Sequence, residues 1–234
     1  TNYILTKMSQ DGADYATALK EAQRLGYAEF DPVNDVEGFD STYKLSLLAS
    51  MAFHTKVPYT KVSREGITDV QTEDIAIGKE LGYTLKLLAI GKNTEHGIEA
   101  RVHPAFIPSA HPLASVNDAY NAVFLRGDAV DDIMLCGKGA GAFPTASAVV
   151  SDIIYAATHT EIKYSTYKNT ATPETGVKFV TDYSSAYYVR LEVSDKAGSL
   201  SKVSGVFAKC GISIVKLVQK GKAKKEGNAQ LVVI

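Results

Sequence analysis

Two cysteines, Cys136 and Cys210, are all that this 234-residue chain contains. They are too few for a disulfide framework or a zinc site of their own, so both are expected to be buried free thiols of a cytoplasmic protein. Long apolar runs are missing too. The longest, near residues 146–157, is broken by Ser151 and Asp152 and falls short of the ~20 residues that a bilayer-spanning helix needs. The N-terminal stretch carries no apolar signal-peptide core. An excess of either charge is absent, since 25 Lys and Arg stand against 26 Asp and Glu. The five histidines show no HExxH or His-x-His spacing, no calcium-loop pattern occurs, and no metal is expected. A G-x-G-x-x-G dinucleotide turn is also lacking.

What is present is an ordinary globular composition, 45% hydrophobic and 22% charged, which excludes a disordered or fibrous chain. The charge is unevenly placed. From Ala186 onward nine basic residues face three acidic ones, whereas 16 face 23 before it. Residues 166–185, just ahead of this change, are rich in Thr, Ser, Asn and Tyr. They read as a linker between a domain at 1–165 and a smaller one at 186–234.

Tyr15, Ala18, Leu19, Ala22 and Leu25 recur at helical spacing, and Gly26 falls where a left-handed C-terminal cap belongs. Asp40 or Ser41 can cap a second helix, whose apolar face would be Leu45, Leu48, Met51 and Ala52. A third helix is predicted at 72–81 and a long one at 145–159. Strands are predicted at 84–90, 98–106, 120–126 and 130–136. The fold class is α+β: a mostly antiparallel sheet with helices on one face. The tail reads as a strand at 187–193, a helix at 199–209 and strands at 212–219 and 229–234. That is a partial ferredoxin-like βαββ unit, which stops before its second helix and last strand.

Chemistry concentrates at residues 26–45. Five carboxylates, Glu29, Asp31, Asp35, Glu37 and Asp40, crowd into twelve residues ahead of Lys44. Asp40 and Lys44 are four apart and share a helix face. One reading is a solvated acidic loop with a surface ion pair. The other is a site for a small substrate bearing an ammonium group, with Lys44 exchanging a proton at an oxygen. A second candidate is the glycine turn Gly137-Lys138-Gly139-Ala140-Gly141, between a strand and a helix. It can approach an anion or serve only as a tight turn. Lys220, Lys222, Lys224 and Lys225 have no interleaved aromatics and read as a solvated loop, not a nucleic-acid patch.

Four separated segments carry a resemblance: TNYILTKM (1–8), EAQRLGYAEFDPVNDVEGFDSTYKL (21–45), HPLASVNDAYNAV (111–123) and GKGAGAFPTASAVVSDI (137–153). In this order they resemble homoserine dehydrogenase. The segment Asp195-Lys196-Ala197-Gly198-Ser199-Leu200 resembles the start of an ACT regulatory domain. The resemblance implies NAD(P)H-dependent interconversion of aspartate 4-semialdehyde and L-homoserine, on the route to threonine and methionine. It makes Lys44 the general acid/base, gives Glu29 and Asp40 substrate binding, and has Asp35 help hold the ammonium group. Gly139 and Gly141 would lie near the cofactor, and Asp195 and Gly198 near an amino-acid effector, with threonine the one suggested. A homodimer is implied, with neither nucleic acid nor membrane as partner. The family's N-terminal Rossmann domain, which holds most of the dinucleotide, is not in this sequence. The resemblance therefore implies a fragment, inactive alone, with a catalytic and dimerisation domain at 1–165 and a partial ACT domain at 186–234. The rival reading is a non-catalytic amino-acid-sensing module.

Overall fold

The computed structural model describes residues 1–159, 177–220 and 227–234. They divide into two compact units, Thr1–Asp182 and Tyr183–Ile234.

The first unit opens with a helix, α1 (Asn2–Gln10), that the apolar spacing does not announce. Tyr3, Ile4, Leu5, Thr6 and Met8 are all buried, while Lys7, Ser9 and Gln10 keep some exposure. Next is α2 (Tyr15–Arg24), whose N-cap Asp14 accepts from the Thr17 amide at 2.8 Å. It ends as expected at Gly26, with φ of +73°. The Gly26 amide bonds Gln23 O and the Tyr27 amide bonds Ala22 O, the paired bonds of a Schellman cap. A single turn, α3 (Val33–Val36), and the left-handed Gly38 lead into α4 (Phe39–Ala52).

A four-stranded sheet follows. The long hairpin of β2 (Tyr83–Thr94) and β3 (Gly97–Pro108) pairs antiparallel throughout its length. β1 (Ser63–Arg64) and β6 (Phe179–Val180) join β3 in parallel. Leu85, Leu87, Ala100 and Val102 share one face of this sheet by register, and the helices pack there. α1, α2 and α5 (Thr72–Glu80) enclose a core of Ile4, Met8, Ala18, Ile67, Ile75 and Leu85. α4 lays Leu45 and Ala49 over Ile98, Ala100 and Val102. Each such fully buried aliphatic side chain is worth about 1.5–3 kcal/mol of transfer free energy.

β4 (Tyr120–Gly127) and β5 (Asp131–Lys138) form a separate two-stranded ribbon, not part of one sheet with β2 and β3 as the sequence suggested. α6 (Ala142–Thr158) follows it. The ribbon is docked to α1 by side-chain bonds to the backbone. The Asn2 amide donates to the carbonyls of Val116 (3.1 Å) and Tyr120 (2.8 Å), and the Asp118 amide donates to Thr6 Oγ1 (3.0 Å). Buried Lys86 on β2 completes the junction, donating to Val116 O and, at 3.2 Å, to Asn117 Oδ1.

In the second unit, β7 (Val189–Ser194), α7 (Ser199–Lys209), β8 (Leu217–Lys220) and β9 (Asn228–Val233) form a βαββ arrangement. Its strand order is β7-β9-β8 and both pairings are antiparallel. β9 is the central strand, with Ala229, Leu231 and Val232 buried. Gly198, with φ of +89°, starts α7, and Gly211 ends it in a second Schellman cap.

Several expectations need correction. Leu48 and Met51 do not face the core; they are 49% and 55% exposed, and Thr42, Leu45 and Ala49 point inward instead. Gly38, not Asp40 or Ser41, is the N-cap of α4, and Asp40 lies in the first turn. The strand expected at 212–219 is confined to Leu217–Lys220. Cys136 and Cys210 are exposed, not buried. Within the expected linker, Phe179 and Val180 form a strand, while residues 166–176 lie outside the described residues. So do Lys222, Lys224 and Lys225.

Candidate active site

After the turn that Gly26 makes at the end of α2, residues 27–38 lead through the short α3 to α4. Two of the five carboxylates between Glu29 and Asp40 are engaged with the protein itself. Asp31 Oδ1 accepts the Val33 amide at 3.3 Å and starts α3. Glu37 accepts from Thr68 Oγ1 at 2.9 Å and lies 3.8 Å from Arg64 Nη1. Arg64 also donates to Glu37 O and stacks its guanidinium 3.6 Å over the Phe39 ring. These bonds fix the point from which α4 departs. Gly66 is required beneath them, because a Cβ there would collide with Val36 O and come within 2.6 Å of Glu37 Cα.

The other three, Glu29, Asp35 and Asp40, are the ones expected to bind substrate. Lys44 Nζ is 2.7 Å from Asp40 Oδ2 across one turn of α4. Both side chains are about half exposed, 58% and 50%. Asp35 Oδ2 accepts the Glu29 amide at 3.1 Å, which ties those two residues together. Asp35, Asp40 and Lys44 all lie near the backbone nitrogen of Thr1. Thr1 Oγ1 donates to Asp35 O.

The surface around Lys44 is not that of a solvated helix. Tyr43, Leu47, Leu48 and Met51 are 44–68% exposed, and Phe30 in the carboxylate loop is 99% exposed. An ion pair set among exposed apolar side chains fits a surface that is covered when it works better than one that faces water throughout.

The glycine turn behaves differently. A Cβ at Gly139 would collide with the Asn121 side chain. Gly141, with φ of +113°, is the N-cap of α6. Both glycines thus have a local structural reason of their own. In the second unit, Asp195 and Gly198 sit on the exposed turn before α7, where the Asp195 amide bonds Gly227 O at 3.0 Å. Among the described residues no cluster of His, Cys, Asp and Glu could hold a metal ion. A surface cavity of about 550 Å³ between α1 and α5, lined by Met8, Asp11, Thr72, Ile75 and Lys79 among others, includes none of the candidate residues.

The family model for homoserine dehydrogenase matches residues 1–154, the stretch that holds Glu29, Asp35, Asp40 and Lys44. The chain belongs to the homoserine dehydrogenase family. A homoserine dehydrogenase of Mycobacterium tuberculosis is 43% identical over 242 residues, covering 100% of this chain and 55% of the relative. The crystal structure of one from Thiobacillus denitrificans superposes with a TM-score of 0.84 at 36% identity, over 99% of this chain and 54% of that one. A hyperthermophilic archaeal homoserine dehydrogenase mutant in complex with NADPH matches 68% of this chain and 44% of its own at 31% identity, with a TM-score of 0.53. The chain thus spans about half the length of the relatives it matches.

The sequence pointed to the four charged residues but not to the groups that hold them. Arg64 and Thr68 are distant in sequence from the loop they brace. Gln23 also went unnoticed, although its place three residues before the capping Gly26 was a usable signal.

Proposed function

We propose that this chain is the substrate-binding and proton-transferring part of an NAD(P)-dependent homoserine dehydrogenase. The observation that carries this is the sorting of the five loop carboxylates. Asp31 and Glu37 are engaged with the Val33 amide and with Thr68 and Arg64, Asp40 pairs with Lys44, Asp35 holds the Glu29 backbone, and the Glu29 side chain stays exposed.

Glu29 and Asp35 attract the substrate's ammonium group. Asp35 can do so while one of its oxygens holds the Glu29 amide, because a carboxylate has acceptor sites to spare. Asp40 aims Lys44 through their 2.7 Å contact. In the reductive direction the Lys44 ammonium stabilises the oxygen anion that develops on the aldehyde and then protonates it. In the reverse direction the neutral amine takes the hydroxyl proton of homoserine. The dinucleotide is bound mainly by the part of the full-length enzyme that this chain does not cover. Gly139 and Gly141 shape the turn beside that part.

The surface of the first unit supports a homodimer. β5 exposes Ile133, Met134 and Leu135 on consecutive positions, and α6 exposes Val149, Val150, Ile153 and Ile154. A two-stranded ribbon exposed on both faces is at best marginally stable alone, which favours burial in a larger assembly. The second unit is read as the βαββ portion of a ferredoxin-like ACT domain. Asp195 and Gly198 lie on its effector-binding turn and an amino acid, threonine by analogy with the family, is its ligand. Cytoplasmic location fits this metabolic role, and no helix among the described residues is long and apolar enough to cross a membrane.

The test uses the full-length enzyme. It should oxidise L-homoserine with NAD(P)⁺, and Glu29→Gln should raise KM for homoserine by roughly tenfold or more while kcat changes far less, as loss of ground-state binding does. An unchanged KM would remove Glu29 from the site.

A further inference from the structure

Glu29 and Phe30 pose a problem. Both side chains are exposed, Phe30 at 99%, so neither is held by burial. Their backbone is nevertheless pinned on both sides. The Gln23 amide nitrogen donates to Glu29 O at 3.0 Å and to Phe30 O at 3.1 Å. The Glu29 N–H is taken by Asp35 Oδ2 at 3.1 Å. A side-chain amide has two N–H groups, and here both are committed to successive carbonyls of one short segment.

We propose that Gln23 is a positioning residue for the substrate's ammonium group, fixing the Glu29 carboxylate through its own peptide. This rests on the reading of Glu29 as an ammonium ligand.

The geometry follows from the sequence. Gln23 lies in the last turn of α2, and its own carbonyl accepts the Gly26 amide in the helix-ending cap. With φ of +73°, Gly26 reverses the chain, and residues 27–30 run back past the helix end. Tyr27 is anchored by its ring against Tyr3, centroids 5.1 Å apart, and Ala28 is buried. Burial therefore stops at Ala28. Beyond it Asp35 and Gln23 hold the Glu29 backbone, and Gln23 is what ties it to the helix. A residue that served only the fold would not need to grip two carbonyls of a segment whose side chains bury nothing. A ligand carboxylate does need this, because binding strength falls steeply when a charged group must be ordered at each encounter.

The donors themselves matter, and this separates the role from packing. Gln23→Glu keeps the size and shape but replaces the donating nitrogen with an acceptor, which repels both carbonyls. Gln23→Ala removes the group altogether. In the full-length enzyme, both variants should raise KM for homoserine by roughly five- to twentyfold, leave KM for the dinucleotide unchanged and lower kcat less than about threefold. Thermal unfolding of each variant is followed in parallel, and both should unfold within a few degrees of the parent. Combined with Glu29→Ala, Gln23→Ala should add nothing further to KM, because its effect passes through Glu29.

Three results would decide against the proposal. If Glu29→Ala raises KM but Gln23→Ala and Gln23→Glu do not, Gln23 holds no catalytic geometry and the Glu29 reading stands. If the double variant shows the product of the single effects, Gln23 acts independently of Glu29. If Glu29→Ala itself leaves KM unchanged, the reading of the loop fails first and the positioning role falls with it.

Discussion

Removing the Lys44 side chain should separate stability from activity by a wide margin. Lys44 and Asp40 make a 2.7 Å ion pair one turn apart on α4, but their side chains are 58% and 50% exposed. Water screens a pair of that exposure, and exposed pairs at this spacing contribute only about 0.3–0.5 kcal/mol. For a domain of this size about 1 kcal/mol corresponds to roughly 2–4 °C, so Lys44→Ala should lower Tm by only about 1–2 °C. Removal of a general acid–base group costs ~10²–10⁴-fold in rate, equivalent to about 3–5 kcal/mol. The catalytic penalty is thus expected to exceed the structural one roughly tenfold. The assay is steady-state turnover of homoserine by the full-length enzyme, read as dinucleotide absorbance, with thermal unfolding on the same preparations. If Lys44→Ala keeps kcat within about threefold of the parent, the pair is a solvated surface contact and the catalytic reading is wrong. If Tm instead falls by roughly 10 °C, Lys44 supports the fold, and any kinetic loss would follow from that.

Gly38→Ala should destabilise by about 1–3 kcal/mol in denaturant titration, because φ of +78° penalises a Cβ and that atom would sit 3.2 Å from Val102 Cγ1. Stability equal to the parent would mean that α4 does not start from a left-handed residue. Burial lowers the pKa of Lys86 below its ordinary 10.5, with Asp118 opposing, so between the two values the unfolded chain holds a proton that the folded one has released. The stability of the parent relative to Lys86→Met should therefore grow as pH rises toward 10.5 and shrink as it falls; the reverse trend would show that Lys86's partners outweigh its desolvation.

How much of this could be read from the sequence depended on whether the signal was local. Gly26 as a cap, the helix at Thr72–Glu80 and the β2–β3 hairpin were all legible, since each is a short-range pattern of apolar spacing and glycine. α1 was not, because its short apolar run, Tyr3-Ile4-Leu5 and then Met8, reads equally well as a strand by spacing alone. On α4 the apolar residues were recognised but the wrong ones were placed inward, since the helix is apolar on both sides and spacing cannot choose between them. At the site, the crowded carboxylates were visible, and so was Lys44. Which carboxylates are free for a ligand was not. That depends on Thr68 and Arg64 occupying Glu37, a contact across about thirty residues of sequence.

The two faces of α4 and the consecutive apolar residues of β5 then have one physical explanation. Strands buried on one face alternate, and strands buried on both read as continuous apolar runs. Ile133, Met134 and Leu135 form such a run, as Leu47, Leu48 and Met51 form a second apolar stripe on α4, yet all six are exposed in this chain. Their composition matches an environment in which they are covered, as in the proposed full-length dimer. Covering α4 would also change the chemistry beside it. Lys44 and Asp40 attract each other by an energy that varies inversely with the local dielectric, and the exclusion of water lowers that dielectric. The pair contributes little to stability while half exposed. Were that surface covered in the full-length enzyme, the same 2.7 Å contact would fix the position of the Lys44 nitrogen more strongly. The pair is therefore a poor stabiliser while it is exposed, and its use is to aim Lys44 at the substrate oxygen.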